Sequence, residues 1–295
     1  VANTTILVVG GTGSIGRQVV RALSEQSDTR ILVGTRDPQR AAAAFAHLPA
    51  AEPVAFDFSR PETVRAALDG VDKLALVNAM SPLMGQETRL LIAAARDSGV
   101  RHVVRSSLLG TDEPDPIEEA KWHAEADAVV QHSGIPYTIL RPNQYFQNFI
   151  NFGNDATVRD QGALFLPLCD SRVSNVDTRD IGAAAATVLI SMGHEHEGKV
   201  YALTGGSSNT MAEVARAISE GLGKPVNYVA VTPGQYQQGL LAANVPAVIA
   251  DGILGWFDYC RAGRADRIEP DLERLLGREP ISLERFVQDH VAHYR

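Results

Sequence analysis

The chain is short of several things, and each shortage excludes a class of protein. Its 295 residues include two cysteines, Cys169 and Cys260. They lie far apart and follow no metal-ligand spacing, so no disulfide framework is expected and a reducing, cytoplasmic setting fits. Basic residues are in deficit, with 27 Lys+Arg against 35 Asp+Glu and a net charge of -8. A nucleic-acid or anionic-membrane surface needs a basic patch that displaces counterions. Neither partner is therefore expected, and any basic feature must be local. No apolar run approaches the ~20 residues that span a bilayer. The opening VANTTILVVGG lacks the basic segment and small-residue cleavage site of a signal peptide and reads as a first strand. There is no GxxxxGK[ST] nucleoside-triphosphate loop. Ser106 and Ser107 lack the Gly-x-Ser-x-Gly elbow of a hydrolase nucleophile. The metal-like run His194-Glu195-His196-Glu197 falls in a polar loop with no third ligand in view.

What remains is ordinary globular composition, 45% hydrophobic and 21% charged. The first half alternates short apolar runs with helical patterns. Strands are expected at 4–9, 30–34, 53–56, 73–78, 102–106 and 137–140, and helices at 14–25, 38–47, 61–69, 84–98 and 117–133. Apolar strands separated by helices predict a parallel sheet covered on both faces. After Arg141-Pro142 the rhythm breaks into a polar stretch to 178. A helix at 179–191 and a strand at 199–203 then return to the sheet pattern. Later helices are expected at 210–221, 233–243, 246–262 and 282–293, with a strand at 226–231. The expectation is an α/β fold: a Rossmann-type, doubly wound parallel sheet with a smaller, mostly helical C-terminal substrate lobe. The nucleotide-binding domain spans 1–142, extended by 179–204, and the lobe comprises 143–178 and 205–295. The cleft between them, at the carboxyl ends of the strands, is the expected site.

The segment Gly10-Gly11-Thr12-Gly13-Ser14-Ile15-Gly16 follows the first strand and opens the first helix, the context a dinucleotide-binding loop requires. Gly10 serves the turn, Gly13 lets backbone approach a pyrophosphate, and Gly16 lets helix and strand pack closely. Thr12, Ser14 and Ile15 complete the cradle at the helix N-terminus. At the end of the second strand, where an NAD site usually carries a carboxylate for the ribose 2′-OH, stand Gly34 and Thr35, followed by Arg36. A guanidinium suits the 2′-phosphate of NADP. Arg40, one helical turn on, adds a second positive charge. Asp37, before a proline, is expected to cap the next helix. By position, Asp57 and Phe58 are expected at the adenine, and Asn78 and Ala79 beside its ribose.

The motifs GGTGSIG, GTRDPQR, HVVRSSLLG, SGIPYTILRPNQYFQN and NVDTRDIGAAAATVL together resemble the NmrA-like branch of the atypical short-chain dehydrogenases/reductases, over essentially the whole chain. That branch includes NADPH-dependent quinone, triphenylmethane-dye and phenylcoumaran- or isoflavone-type reductases, and also regulators that bind dinucleotide and reduce nothing. The resemblance implies that Arg36 and Arg40 meet the 2′-phosphate and that Ser106 and Ser107 line the nicotinamide pocket. It puts His123 where relatives carry a lysine or histidine. Pro142 and Asn143 follow on the cofactor side, and Tyr145 and Phe146 lie in the loop over nicotinamide and substrate.

One departure matters. None of the seven tyrosines has a lysine four residues later, so the usual Tyr-x-x-x-Lys proton donor of short-chain enzymes is missing. His123 and Tyr145 are the substitute candidates. On a helix, His123 shares a face with Asp127, which is expected to orient the ring and raise its pKa, unless the pair is merely structural. Trp256 and Phe257 read first as lobe core and second as a substrate wall. The leading expectation is an NADPH-dependent oxidoreductase for a small aromatic or quinone-like molecule, monomeric or homodimeric. The rival is a catalytically silent NADP(H) sensor. A nucleotide-sugar epimerase is less favoured, since it wants the tyrosine–lysine pair.

Overall fold

The computed structural model describes residues 4–26 and 29–295. In chain order the elements are β1 (Thr5–Val9), α1 (Gly16–Gln26), β2 (Arg30–Thr35), α2 (Pro38–Ala44), β3 (Ala51–Ala55), α3 (Pro61–Ala67), β4 (Lys73–Val77), α4 (Met84–Asp97), β5 (His102–Ser106), α5 (Glu118–Gln131), β6 (Tyr137–Pro142), α6 (Asn154–Gln161), β7 (Ala163–Leu166), β8 (Arg172–Val173), α7 (Thr178–Ile190), β9 (Lys199–Leu203), β10 (Asn209–Thr210), α8 (Met211–Leu222), β11 (Asn227–Ala230), α9 (Pro233–Ala242), α10 (Ala247–Arg261), α11 (Asp271–Leu276) and α12 (Leu283–His290).

The chain forms two compact units. The first comprises Val1–Asp112, Ala120–Pro142 and Thr178–Ala202; the second comprises Glu113–Glu119, Asn143–Asp177 and Leu203–Arg295. Residues 113–119, which sequence reasoning left in the nucleotide-binding half, thus group with the second unit.

The first unit is built on a seven-stranded sheet of order β3-β2-β1-β4-β5-β6-β9, a doubly wound, Rossmann-type α/β arrangement. From β3 through β6 every pair is parallel. Strands β1 and β5 are buried along their whole length, which is why β1 reads as an apolar run rather than an alternation, while β5 buries polar His102, Arg105 and Ser106 as well. Leu7, Leu32, Leu68, Leu74, Leu91 and Val103 anchor the core on one side of the sheet. On α7, a Cβ at Gly182 would stand 2.5 Å from the Gln18 carbonyl carbon of α1. Glycine there lets the two helices approach to backbone contact. The strand order reverses at β1 and β4, the switch point where such sheets bind ligands.

The second unit holds more strand pairing, and more short helices, than its sequence suggests. Two small sheets, β10–β8 antiparallel and β11–β7 parallel, were expected only at β11, and α6 and α11 were not expected. Its core includes Phe146, Phe149 and Phe286, the first and last stacked at 5.3 Å. A T-shaped pair, Tyr236 and Phe257, lies at 5.1 Å, and a stacked pair, Trp256 and Tyr259, at 4.8 Å.

Candidate active site

The loop after β1 closes tightly on itself. Gly10 adopts φ +74°, and a Cβ on it would stand 2.2 Å from the Val77 carbonyl oxygen at the end of β4. At Gly16 a Cβ would lie 2.1 Å from the Gly10 oxygen and 2.8 Å from the Gly11 Cα. The chain itself therefore requires both glycines. Gly13 differs: a Cβ there would meet only the Gly10 oxygen, at 3.3 Å. The Gly13 N–H donates to Gly10 at 3.0 Å. Among the described residues, the N–H groups of Thr12, Ser14 and Ile15 meet no acceptor. Thr12, Gly13 and Ser14 are exposed, whereas Ile15 is tucked under the loop. Unpaired donors at a helix N-terminus, beside a glycine that puts no side chain over them, make an anion cradle. The arrangement fits the pyrophosphate of a dinucleotide.

Arg36 and Arg40 are exposed beyond β2, and neither side chain is hydrogen-bonded or ion-paired among the described residues. Asp37 caps α2, its carboxylate accepting from the Arg40 N–H at 3.0 Å. It is thereby occupied with backbone rather than with a ribose. A Cβ at Gly34 would be 3.2 Å from Phe56, so a side chain at that strand position requires Phe56 to give by a few tenths of an ångström. Asp57 accepts from both the N–H (2.9 Å) and the hydroxyl (2.7 Å) of Ser59. Those two bonds, with a smaller contribution from Arg36, hold its carboxyl below the usual range. Phe58 is half-buried, edge-on to Phe56 at 5.0 Å. Asn78 donates to Thr88 at 3.3 Å, while its buried carbonyl oxygen has no partner; Ala79 is exposed.

At the ends of β5 and β6 the first unit holds a buried charge network. Arg105, fully buried on β5, pairs with Asp127 of α5. Ser107 donates to the same carboxylate at 2.9 Å, and Arg141 approaches it at 3.5 Å while pairing with Asp112 at 2.6 Å. Ser106 is buried beside Ser107. This network corrects the expectation for His123. Asp127 serves the arginines, and His123 instead faces Arg105, whose Nη2 lies 3.3 Å from its Nδ1. Burial first, and then the Arg105 charge, push the imidazole pKa well below its ordinary value. A guanidinium only donates, so Nδ1 accepts and the ring proton resides on Nε2. His123 is a neutral hydrogen-bond donor at neutral pH, not an imidazolium acid.

In the second unit, Asn143 is fully buried. Its amide donates to Ser174 (2.8 Å) and the Ala265 carbonyl (3.0 Å) and accepts from the Gln144 N–H (2.9 Å). It holds the loop after β6 rather than presenting a side chain; Pro142, just before it, is also buried. Trp256 and Phe257 are buried in the core contacts above, so packing, the first reading, is what the structure shows for them, and Phe146, expected in the loop over nicotinamide and substrate, is buried in the core as well. Tyr145 is half-buried, with its hydroxyl unbonded among the described residues. Desolvation first, and then the nearby Glu119 carboxyl, raise its pKa far above the ordinary phenol value.

Residues 2–285 match the NmrA-like family. The chain belongs to that family. It is 34% identical over 290 residues to the NAD(P)H azoreductase of Xenophilus azovorans, covering 98% of this chain and 99% of that one. It is 30% identical over 250 residues to quinone oxidoreductase 2 of Escherichia coli (strain K12), covering 83% and 84% respectively. Among solved structures, the Citrobacter sp. triphenylmethane reductase complexed with NADP(H) superposes with a TM-score of 0.84 at 29% identity, covering 96% of this chain and 99% of that one.

Within this NmrA-like framework sequence reasoning passed over Glu119. Two glutamates in the first turn of a helix read as a solvated, dipole-favoured pair. Yet Glu119 is only 8% exposed, and burial pushes its carboxyl up to about 7. The signal available was its neighbourhood, Ile117 and Ala120 flanking it in an otherwise polar stretch. Among the described residues no group of three or more His, Cys, Asp or Glu is placed to hold a metal, and no helix is long and apolar enough to cross a membrane.

Proposed function

We propose that this protein is an NADPH-dependent reductase that passes hydride to a small aromatic or quinone-like acceptor. The observation that carries the reading is the set of unpaired N–H groups at the start of α1, open at Gly13, in a chain with full-length likeness to reductases of azo, quinone and triarylmethyl compounds. In this reading Gly10 to Gly16 hold the pyrophosphate, and the unpaired guanidiniums of Arg36 and Arg40 take the 2′-phosphate. Asp57 and Phe58 border the adenine, Asn78 and Ala79 its ribose, and Ser106, Ser107 and His123 the nicotinamide end. The bound dinucleotide supplies the hydride. The neutral His123 offers its Nε2–H as a fixed donor, oriented by Arg105, and the Arg105–Asp127–Ser107 network keeps that donor in place. Tyr145, its hydroxyl unbonded among the described residues, is the second candidate proton donor of this reading.

Acceptors that already delocalise the incoming electron pair need little help to stabilise charge, whereas a plain ketone develops a localised alkoxide that needs a strong positioned acid. The chain lacks Tyr-x-x-x-Lys, so the first kind is the substrate class. We further infer a cytoplasmic protein, monomeric or homodimeric, that works on small molecules without nucleic-acid or membrane partners; its net charge of -8 supports this. The test is NADPH oxidation with matched panels of quinones, azo dyes and triarylmethyl dyes against aliphatic ketones. Turnover is expected with the former and not the latter. Tight NADP(H) binding with no turnover on any panel would make the protein a sensor and overturn the reading.

A further inference from the structure

Helix α1 opens with a charge of the wrong sign for its own stability. The partial positive charge of a helix N-terminus favours acidic side chains in the first turn and disfavours basic ones. The first turn of α1 holds no acidic residue; it holds Arg17. The side chain is exposed. Among the described residues its guanidinium forms no ion pair and makes one hydrogen bond, from Nη2 to the Thr12 carbonyl at 3.0 Å. The backbone closes onto the same loop, the Arg17 N–H donating to the Gly13 carbonyl at 3.0 Å. This turn is pinned from behind, since Gly182 of α7 packs directly on the Gln18 backbone. Glu25, further along α1, is paired with Arg21 at 2.9 Å. Arg17 thus stands at the rim of the loop whose Thr12, Ser14 and Ile15 N–H groups meet no acceptor among the described residues. A guanidinium carries five N–H donors, and four of them are left to a ligand or to water.

We infer that Arg17 is a cofactor-binding residue whose guanidinium pairs with the pyrophosphate held at Gly10 to Gly16. The inference rests on the proposed dinucleotide reading of that loop and adds a charge which that reading did not assign. Backbone N–H groups and the helix dipole offer only partial charges. A full positive charge beside them supplies charge-assisted bonds, roughly twice as strong as neutral ones. The bond to Thr12 holds the side chain at the rim before the ligand arrives, so less rotamer freedom is lost on binding. The sign of the charge then has a reason. Repulsion between Arg17 and the helix end is present in the free protein and is relieved when an anion lies against both. NAD and NADP share the pyrophosphate, so Arg17 raises affinity for either, and the choice between them stays with Arg36.

The experiment measures dissociation constants by calorimetry for wild type, Arg17→Gln and Arg17→Lys. The probes are NADP⁺, NAD⁺, ADP (a pyrophosphate without a 2′-phosphate) and 2′-AMP (a 2′-phosphate without a pyrophosphate). Arg17→Gln should weaken ADP, NAD⁺ and NADP⁺ about tenfold, one charge-assisted bond's worth at an exposed site, and leave 2′-AMP within about twofold. Arg17→Lys, which keeps the charge, should recover most of that loss. Raising salt from about 50 to about 500 mM should erode ADP affinity more in wild type than in Arg17→Gln. A readout without ligand separates binding from bracing. The ligand-free melting temperature of Arg17→Gln should equal or exceed that of wild type, because a cation has left the helix N-terminus; loss of a mere loop brace would lower it. An ADP affinity in Arg17→Gln within twofold of wild type, an equal loss for 2′-AMP, no recovery in Arg17→Lys, or a lower ligand-free melting temperature in Arg17→Gln overturns the inference and leaves the dinucleotide reading standing. Failure of wild type to bind either dinucleotide overturns both.

Discussion

Placing a side chain at Gly13 and at Gly16 separates what the fold needs from what a ligand needs. In Gly13→Val the new Cβ meets one backbone oxygen at 3.3 Å and nothing else within 4 Å. Relieving that contact takes a shift of a few tenths of an ångström, inside the roughly 1–3 kcal/mol typical of overpacking. A domain stable by about 5–15 kcal/mol survives it. The branched side chain, however, fills the space above the N–H groups of Thr12, Ser14 and Ile15. A pyrophosphate held there gains about 1.5–3 kcal/mol per charge-assisted bond. Losing two such bonds removes about 3–6 kcal/mol, or roughly two to four decades of affinity. Gly16→Ala is the counterpart: its Cβ would lie 2.1 Å from the Gly10 oxygen and 2.7 Å from the Gly10 carbonyl carbon, so loop and helix must both move. Expected, then, are a near-wild-type melting curve with no detectable NADP⁺ binding for Gly13→Val, and loss of both folding and binding for Gly16→Ala. Circular dichroism melting and calorimetric titration read the two quantities. A folded Gly13→Val whose dissociation constant stays within threefold of wild type would refute the cradle.

Arg36→Ala should weaken NADPH binding by about one to two decades, one charge-assisted bond's worth, while leaving NADH untouched; equal wild-type affinities for the two dinucleotides would sink the 2′-phosphate assignment. Asp127→Ala strips its carboxylate from Arg105, which has no exposure at all, and orphaning a buried charge costs about 3–5 kcal/mol. Urea midpoints measure it, and a loss under about 1 kcal/mol would mean that the Arg105 charge is held by something other than Asp127.

What could be read from the sequence was whatever depends on near neighbours. The strand at His102–Ser106 begins and ends where expected, as does the one at Lys199–Leu203, because short β-branched and aromatic stretches between helical patterns and breakers mark strands locally. Asp37 caps α2 as its place before a proline implied. The elements that escaped have no such local signature. Helix α6, NDATVRDQ, buries only Asn154 and Val158, too little for an apolar stripe. Strand β7 is four residues long and takes its partner from 227–230, more than sixty residues away. The tight turn at Gly10 and the close packing at Gly16 were legible in the sequence. The environment of His123 was not. Helical spacing correctly brought Asp127 near, but nothing in a helix pattern reveals that Arg105, arriving from β5, has claimed that carboxylate and turned its own charge on the imidazole.

That misassignment changes how a pH profile of this protein must be read. An ionisation near neutrality would ordinarily be credited to histidine, whose unperturbed value lies there. Here burial and Arg105 drive His123 far lower, so it is neutral and donating from Nε2 across the whole range in which such enzymes are assayed. Tyr145 is displaced in the opposite direction and holds its proton over the same range. Of the three groups, Glu119 alone changes charge near pH 7. The direction separates them. A histidine acting as general acid loses activity as pH rises through its own depressed value, well on the acid side. Ionisation of the buried Glu119 carboxyl falls near 7 instead, clear of that region. A limb near the ordinary histidine value that vanishes in His123→Ala would therefore require that Arg105 be less charged or more distant than the buried pair with Asp127 makes it.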